Sequence, residues 1–193
     1  MEPINLNQSI SENAGFIEQV GVESGQPVQK CYQCGKCTAG CPVAFAMDYT
    51  PNQVMRLIQL GLKEEVLGSQ AIWLCATCAT CATRCPRNVN LTQVMETLRI
   101  MADQSGIVPS GRARNVSFFY GSFMSTVEKY GRMYEFGTML QYNLKSRKPF
   151  RDADTGLAMF QKGKLKLIPS KVKGMEEIAR IFAEARKMEG GGK

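Results

Sequence analysis

Histidine is absent from this 193-residue chain, and tryptophan occurs once. The lack of histidine removes the commonest general base and the imidazole metal ligand, and with them the usual nucleophile–base pairs and mixed Cys/His zinc sites. No apolar run approaches the length that crosses a bilayer. The segment Met1 to Ile10 is polar and lacks the basic-then-apolar pattern of a secretory signal, so a reducing, cytoplasmic setting is expected. The glycine fingerprints of dinucleotide and P-loop sites are missing as well. Nothing in this inventory equips the chain to bind a nucleotide or transform a substrate with its own side chains.

What is present is concentrated. All eight cysteines fall in two stretches, Cys31 to Pro42 (CYQCGKCTAGCP) and Cys75 to Pro86 (CATCATCATRCP), and none is left over. Both follow C-x2-C-x2-C-x3-C-P, the run that ligates [4Fe–4S] clusters in bacterial-type ferredoxins. Three cysteines two residues apart let a short loop wrap one cluster, and turns that tight bring backbone N–H groups near the sulfurs. The proline after the fourth cysteine suits a first helical position, so Cys41 and Cys85 are expected where helices begin. In two-cluster proteins the fourth cysteine serves the other cluster. The expected ligand sets are therefore Cys31, Cys34, Cys37 and Cys85 for one cluster, and Cys75, Cys78, Cys81 and Cys41 for the second. Disulfides and zinc are the competing readings. Neither accounts for two triplets plus two Cys-Pro residues without histidine.

The formal charge of +7 is localised. Lys145 to Gly174 holds nine Lys or Arg against two Asp, and the rest of the chain is neutral. A solvated basic face and a docking segment for an acidic partner both fit this run. Nucleic acid fits less well, because the patterned aromatics of a single-strand binder are missing.

The remaining signals are helical. Ser11 is a candidate cap for a short helix containing Phe16, Ile17 and Val20. Thr50-Pro51-Asn52-Gln53 has the form of a capping box with proline at the first helical position, ahead of Val54, Leu57, Ile58 and Leu62. Ser69 is a candidate cap for a helix through Ile72, Trp73 and Leu74, with Trp73 expected in the core as a dry wall beside a cluster. Asn90 is a candidate cap for Val94, Leu98 and Met101, ended by Gly106 and Pro109. Asn115 to Lys145 is helical but interrupted by Gly121, Gly131 and Gly137. Lys164 to Ile168 alternates as an extended arm or edge strand would. Glu176 to Met188 is a terminal helix with Ile178, Ile181, Phe182 and Ala185 on one face, followed by a tail from Gly190 to Lys193 expected to be disordered. The two motifs are offset by 44 residues with helical sequence between them, unlike a compact β-hairpin ferredoxin. The predicted class is mainly α: an α-helical ferredoxin with two [4Fe–4S] clusters and N- and C-terminal extensions. The predicted organisation is an extension at 1–27, the two-cluster domain at 28–108, a helical extension at 109–145, a basic arm at 146–174, and a helix and tail at 175–193.

These residues resemble HdrC, the two-cluster iron–sulfur subunit of heterodisulfide reductase. The match runs from Lys30 through Pro42, Met47-Asp48-Tyr49-Thr50-Pro51 and Arg56 to Gly61. It continues through Ile72-Trp73-Leu74-Cys75 and Arg84-Cys85-Pro86, so that it covers about residues 28–105. The resemblance implies an electron conduit with two [4Fe–4S] clusters, set between two partners. One is a flavin- and iron–sulfur-bearing subunit; the other is a cysteine-rich catalytic subunit that reduces a disulfide. The resemblance also implies a place in a larger hetero-oligomer and a link to flavin-based electron bifurcation. It implies no nucleic-acid partner and no direct membrane insertion. Two other readings use the same clusters: the iron–sulfur module of a membrane-linked, quinone-interacting oxidoreductase, and a free two-cluster ferredoxin. The long extensions and basic run disfavour the free carrier.

Overall fold

A computed structural model describes residues 7, 11, 13, 15–107, 109–147, 153–165 and 168–190. Among them every regular element is helical and none is a strand. The chain divides into two units, Met1–Arg114 and Asn115–Lys193.

The first unit is built from short helices in chain order. Helix α1 (Phe16–Ser24) leads through a single 3-10 turn, Val28–Lys30, into the first cysteine loop, which α2 (Lys36–Ala39) closes. A second 3-10 turn, Ala44–Ala46, is followed by α3 (Pro51–Gln59), α4 (Lys63–Leu67) and α5 (Ala71–Leu74). The second cysteine loop is closed by α6 (Thr80–Thr83) and leads to α7 (Leu91–Gln104). Gly15, not Ser11, is the N-cap of α1, and Gly25 ends that helix with a left-handed φ of 63°.

Local signals account for the two helices that carry the core. Before α3, Thr50 and Gln53 form the predicted capping box, the Thr50 N–H donating to Gln53 Oε1 at 2.8 Å, with Pro51 at the first position. Before α7, the Asn90 side chain accepts from the N–H groups of Thr92 and Gln93. Val54, Met55 and Ile58 on α3 and Val94, Met95, Leu98 and Met101 on α7 share one apolar core. Phe16 and Val20 of α1 and Ile72 and Trp73 of α5 complete it. Each such side chain contributes about 1.5–3 kcal/mol by leaving water. Residues 16–24, which the sequence places ahead of the cluster domain, are thus part of its packing, with α1 laid against α7 and α3.

In the second unit, the long helical region breaks at the middle one of its three glycines. Helix α8 (Gly111–Tyr130) stops at Gly131, whose φ is 76°, and α9 (Glu135–Lys145) begins after it. A Cβ at Gly131 would fall 2.2 Å from Val172 and 2.7 Å from Ile178, so the site excludes a side chain twice over, by conformation and by space. Gly121 and Gly137 are accommodated within helices. The Thr126 and Thr138 hydroxyls, both buried, meet at 3.0 Å and join α8 to α9. Helix α10 (Ala153–Gln161) lies in the basic run, and α11 (Met175–Gly190) meets α8 at the surface, where Arg186 Nη2 donates to both Glu128 carboxylate oxygens at 2.7 and 2.8 Å. Only Ile178 and Phe182 of the predicted α11 face are partly covered, while Ile181 and Ala185 are exposed. The aromatic rings of Phe119 and Tyr142 pack edge to face. The expected arm at Lys164 to Ile168 falls partly on residues 166–167, outside the described residues; of the expected disordered tail, Gly190 is instead the last residue of α11, and 191–193 lie outside the described residues. No helix among the described residues is long and apolar enough to cross a membrane.

Candidate metal centre

The two cysteine loops repeat each other in backbone as well as in sequence. Gln33 and Gly35 have φ of 62° and 76°, and Thr77 and Ala79, 44 residues later, have 49° and 60°. Alternation of left-handed residues with ordinary ones turns successive N–H groups inward and forms a concavity suited to an anion. The second copy adopts this path without glycine and with a β-branched residue at 77, at a cost of about 1–3 kcal/mol for each such residue. Such strain is held only where the surroundings require it. The short helices α2 and α6 then start at equivalent positions and pack against each other, which sets the two loops side by side.

Cys41 and Cys85 do not begin helices. Each follows a short helix and opens a turn: the Ala44 N–H donates to the Cys41 carbonyl at 3.4 Å, and the Asn88 N–H to the Cys85 carbonyl at 3.2 Å. Proline's fixed φ serves the second position of such a turn as readily as the first turn of a helix, and the turn is what these two prolines occupy. The helices that the prolines were expected to open start later, at Pro51 and Leu91.

None of the eight cysteines is in a disulfide; Cys34 and Cys78 are exposed and the other six half-buried. Cys41, from the first copy, lines one hollow together with Cys75, Cys78 and Cys81 from the second. Its remaining wall is largely apolar, including Val43, Met47, Leu91 and Met95. Thr80 and Thr92 place hydroxyls 3.4 Å from Cys78 Sγ and 3.7 Å from Cys81 Sγ. On the other side, Tyr32 has its phenol pKa raised by desolvation and then by the neighbouring Cys34, with Cys85 adding to it, so Cys34 and Cys85 act on one hydroxyl. Gln33 Nε2 donates to Cys31 Sγ at 3.6 Å, and the Val89 N–H donates to Cys85 Sγ at 3.3 Å. Burial pushes the Cys37 and Cys75 thiols up. The Thr80 hydroxyl and N–H hold the exposed Cys78 below its ordinary value.

The donor set suits an iron–sulfur cluster. It consists of thiols alone, in two groups on N–H-rich loops. Among the described residues no three His, Cys, Asp or Glu side chains converge closely enough to hold one ion. Ligands of a single zinc share one point about 2.3 Å from each sulfur, whereas a cubane offers a separate iron to each thiolate.

The loops are anchored by side chains that local sequence reading did not identify. Asp48 accepts from the Gln70 and Ala71 N–H groups at 2.7 and 2.9 Å, and so caps α5, the helix that delivers Cys75. Ser69, the predicted cap, instead donates to the Val66 carbonyl at 2.7 Å. Asp48 wins because its carboxylate reaches two orphan donors at once and is favoured by charge at a helix N-terminus. Thr38 Oγ1 accepts from the Asn52 N–H at 3.1 Å and ties α2 to α3. Gln59 Nε2 donates to the Cys31 carbonyl at 2.7 Å. Gln26 Oε1 accepts from the Asn90 N–H at 2.8 Å and joins the segment before the first loop to the helix after the second. These partners lie 14 to 64 residues apart, beyond the reach of a periodicity argument.

Residues 27–89 match the family described as the 4Fe-4S dicluster domain. Over 115 residues the chain is 37% identical to a protein of Methanocaldococcus jannaschii named as an iron-sulfur subunit (C 2) of CoB--CoM heterodisulfide reductase, covering 55% of this chain and 61% of that protein. It is 41% identical over 103 residues to the H(2)/formate:CoB-CoM heterodisulfide,ferredoxin reductase subunit C2 of Methanococcus maripaludis, covering 49% of this chain and 55% of that protein. The chain thus spans less than two thirds of the length of either relative.

Proposed function

From a chain that carries a 4Fe-4S dicluster domain and is similar to HdrC-type iron–sulfur subunits of heterodisulfide reductase, we propose an electron-transfer subunit that works through two [4Fe–4S] clusters. It relays electrons from a flavin- and iron–sulfur-bearing partner to a cysteine-rich partner that reduces a disulfide or thiol substrate. The reading includes a hetero-oligomeric, cytoplasmic complex engaged in flavin-based electron bifurcation, and no substrate-converting site on this chain. The observation that carries it is the hollow shared by Cys41 with Cys75, Cys78 and Cys81. A cysteine of one copy facing the triplet of the other supports crossed ligation, and crossed ligation keeps two clusters close.

When bound, a [4Fe–4S] cluster supplies one-electron storage at a potential set by hydrogen bonds, charge and exposure. The protein's part is to hold and tune. Cys31, Cys34, Cys37 and Cys85 form one proposed ligand set, and Cys41, Cys75, Cys78 and Cys81 the other. The inward N–H groups of the loops, with the hydroxyls of Thr80 and Thr92, stabilise negative charge on the sulfurs. Val43, Met47, Leu91 and Met95 limit water at the second site. The exposed Cys34 and Cys78 mark where each site approaches the surface.

Anaerobic native purification of the tagged chain tests the proposal, with iron, flavin and co-purifying proteins assayed together. A flavoprotein and a cysteine-rich partner, with iron well above the roughly eight atoms of two cubanes, are expected. A lone chain with only its own iron and no flavin would instead establish a free carrier.

A further inference from the structure

Charge is divided unequally between the two sites. Lys30, Lys36 and Arg84 each stand next to a first-site ligand, at Cys31, Cys37 and Cys85, and Arg87 lies two residues beyond Cys85. No residue next to Cys41, Cys75, Cys78 or Cys81 is charged. Residues 28–47 and 75–95, which hold both loops, contain those four cations and no Asp or Glu. The basic run at 145–174 is a separate feature of the second unit.

The fold draws these cations together. Helices α2 and α6 pack against each other, and the Arg84 side chain crosses to the first loop, with its guanidinium over Gly40. All four cations are exposed, and none is in an ion pair among the described residues. In the loop between Lys30 and Lys36, Cys34 reaches the surface and Tyr32 is 59% exposed. An accessible aromatic side chain beside unpaired charges is the composition of a docking surface, where the ring supplies contact area and the charges supply steering. A face that serves solubility alone intersperses both signs. This one carries a single sign, so it draws acidic surfaces and repels basic ones. The second site differs in kind, with a hollow walled by Val43, Met47, Leu91 and Met95 and no charge beside its ligands.

Resting on the electron-transfer reading and its ligand sets, we propose that Lys30, Tyr32, Lys36, Arg84 and Arg87 form the docking surface for one redox partner, and that the partner's matching surface is acidic. Its place over a redox site favours a protein over nucleic acid as the occupant. The uncharged second site is left to the other partner, so charge decides which partner meets which site.

The test starts from the native complex, purified anaerobically through the tagged full chain. A zero-length carbodiimide joins lysine amines to carboxylates, and peptide mapping then locates the links. Lys30 and Lys36 are expected to be joined to Asp- or Glu-rich peptides of a single partner. The loaded chain carrying Lys30→Glu and Lys36→Glu should keep its iron and associate with that partner about tenfold more slowly at low salt, with the gap closing as salt rises. Lys30→Gln with Lys36→Gln supplies the comparison if the reversed charges cost iron. Lys162→Glu with Lys164→Glu, in the second unit, should leave the rate unchanged. Links confined to the basic run, or an unchanged association rate in iron-replete Lys30 and Lys36 variants, would overturn the proposal. Tight binding of a mixed-sequence DNA duplex that the Lys30 and Lys36 variants lose would reassign the face to nucleic acid and overturn it too. A chain that purifies alone would overturn the complex reading itself, an outcome seen before any cross-link is made.

Discussion

Gly40 lies directly beneath Arg84. A Cβ built on Gly40 would fall 2.8 Å from Arg84 Nη1 and 2.9 Å from its Cδ. The two residues hold equivalent places in the two motifs, each just before the fourth cysteine. Where the copies meet, one must be small for the other to be large. Gly40→Ala forces the exposed, flexible Arg84 side chain aside and is expected to cost less than about 1 kcal/mol, well below the range for overpacking in a core. Thermal unfolding of the loaded chain measures it. Combination with Arg84→Ala should recover most of the loss, since the clash is between those two residues. Additive losses in the double variant would mean that they do not interact.

Asp48 links the copies from another direction, by capping the helix before Cys75. Asp48→Ala is expected to cost about 0.5–2 kcal/mol, the range for a lost N-cap. Asp48→Asn, which retains one acceptor oxygen, should cost less. Denaturant midpoints give the energies. Iron retention during chelator challenge should show the Cys75 site releasing first.

Cys41→Ser is expected to disturb the cluster proposed for Cys75, Cys78 and Cys81, with the one at Cys31, Cys34 and Cys37 keeping its spectrum. An alteration confined to the Cys31 cluster would refute crossed ligation.

The left-handed positions of the loops offer a matched pair of substitutions. Gly35 takes a left-handed φ of 76°, so Gly35→Ala should carry the backbone penalty, about 1 kcal/mol. Ala79→Gly at the equivalent place relieves the same penalty while loosening the unfolded chain, and is expected to change stability by less than about 1 kcal/mol. Thermal melts of both variants, with iron bound, provide the check.

Thiol reactivity in the iron-stripped, reduced chain should rank with environment. Cys78 is exposed and held below its ordinary pKa by Thr80, so its thiolate is present at lower pH than that of an unperturbed cysteine. Cys37 and Cys75 are raised by burial and ionise only at higher pH. Near pH 7, brief iodoacetamide treatment with peptide mapping should label Cys78 well ahead of those two, and the gap should narrow as pH rises. Thr80→Val should slow the labelling of Cys78. Equal rates for the three thiols would contradict the ranking.

The helical class, the caps at Thr50 and Asn90, and the two cysteine loops were all legible in the residues, because each depends on neighbours within a few positions. Periodicity placed Val54, Ile58, Val94 and Leu98 in the core for the same reason. Local reading failed where a long-range partner competed with a local one. Ser69 lost its helix to Asp48, more than twenty residues away, since a carboxylate meets two orphan N–H groups where a hydroxyl meets one. Proline after Cys41 and Cys85 was compatible with a helix start and with a turn, and packing of the two short helices selected the turn. Resemblance to a known iron–sulfur subunit carried the functional reading further than any single residue did. Only the tertiary structure set Cys41 in one hollow with Cys75 and laid Arg84 over Gly40. Sequence determines which side chains are available and which short segments curl; bringing distant segments together is a global balance of packing, hydrogen bonding and charge, and no local pattern encodes it.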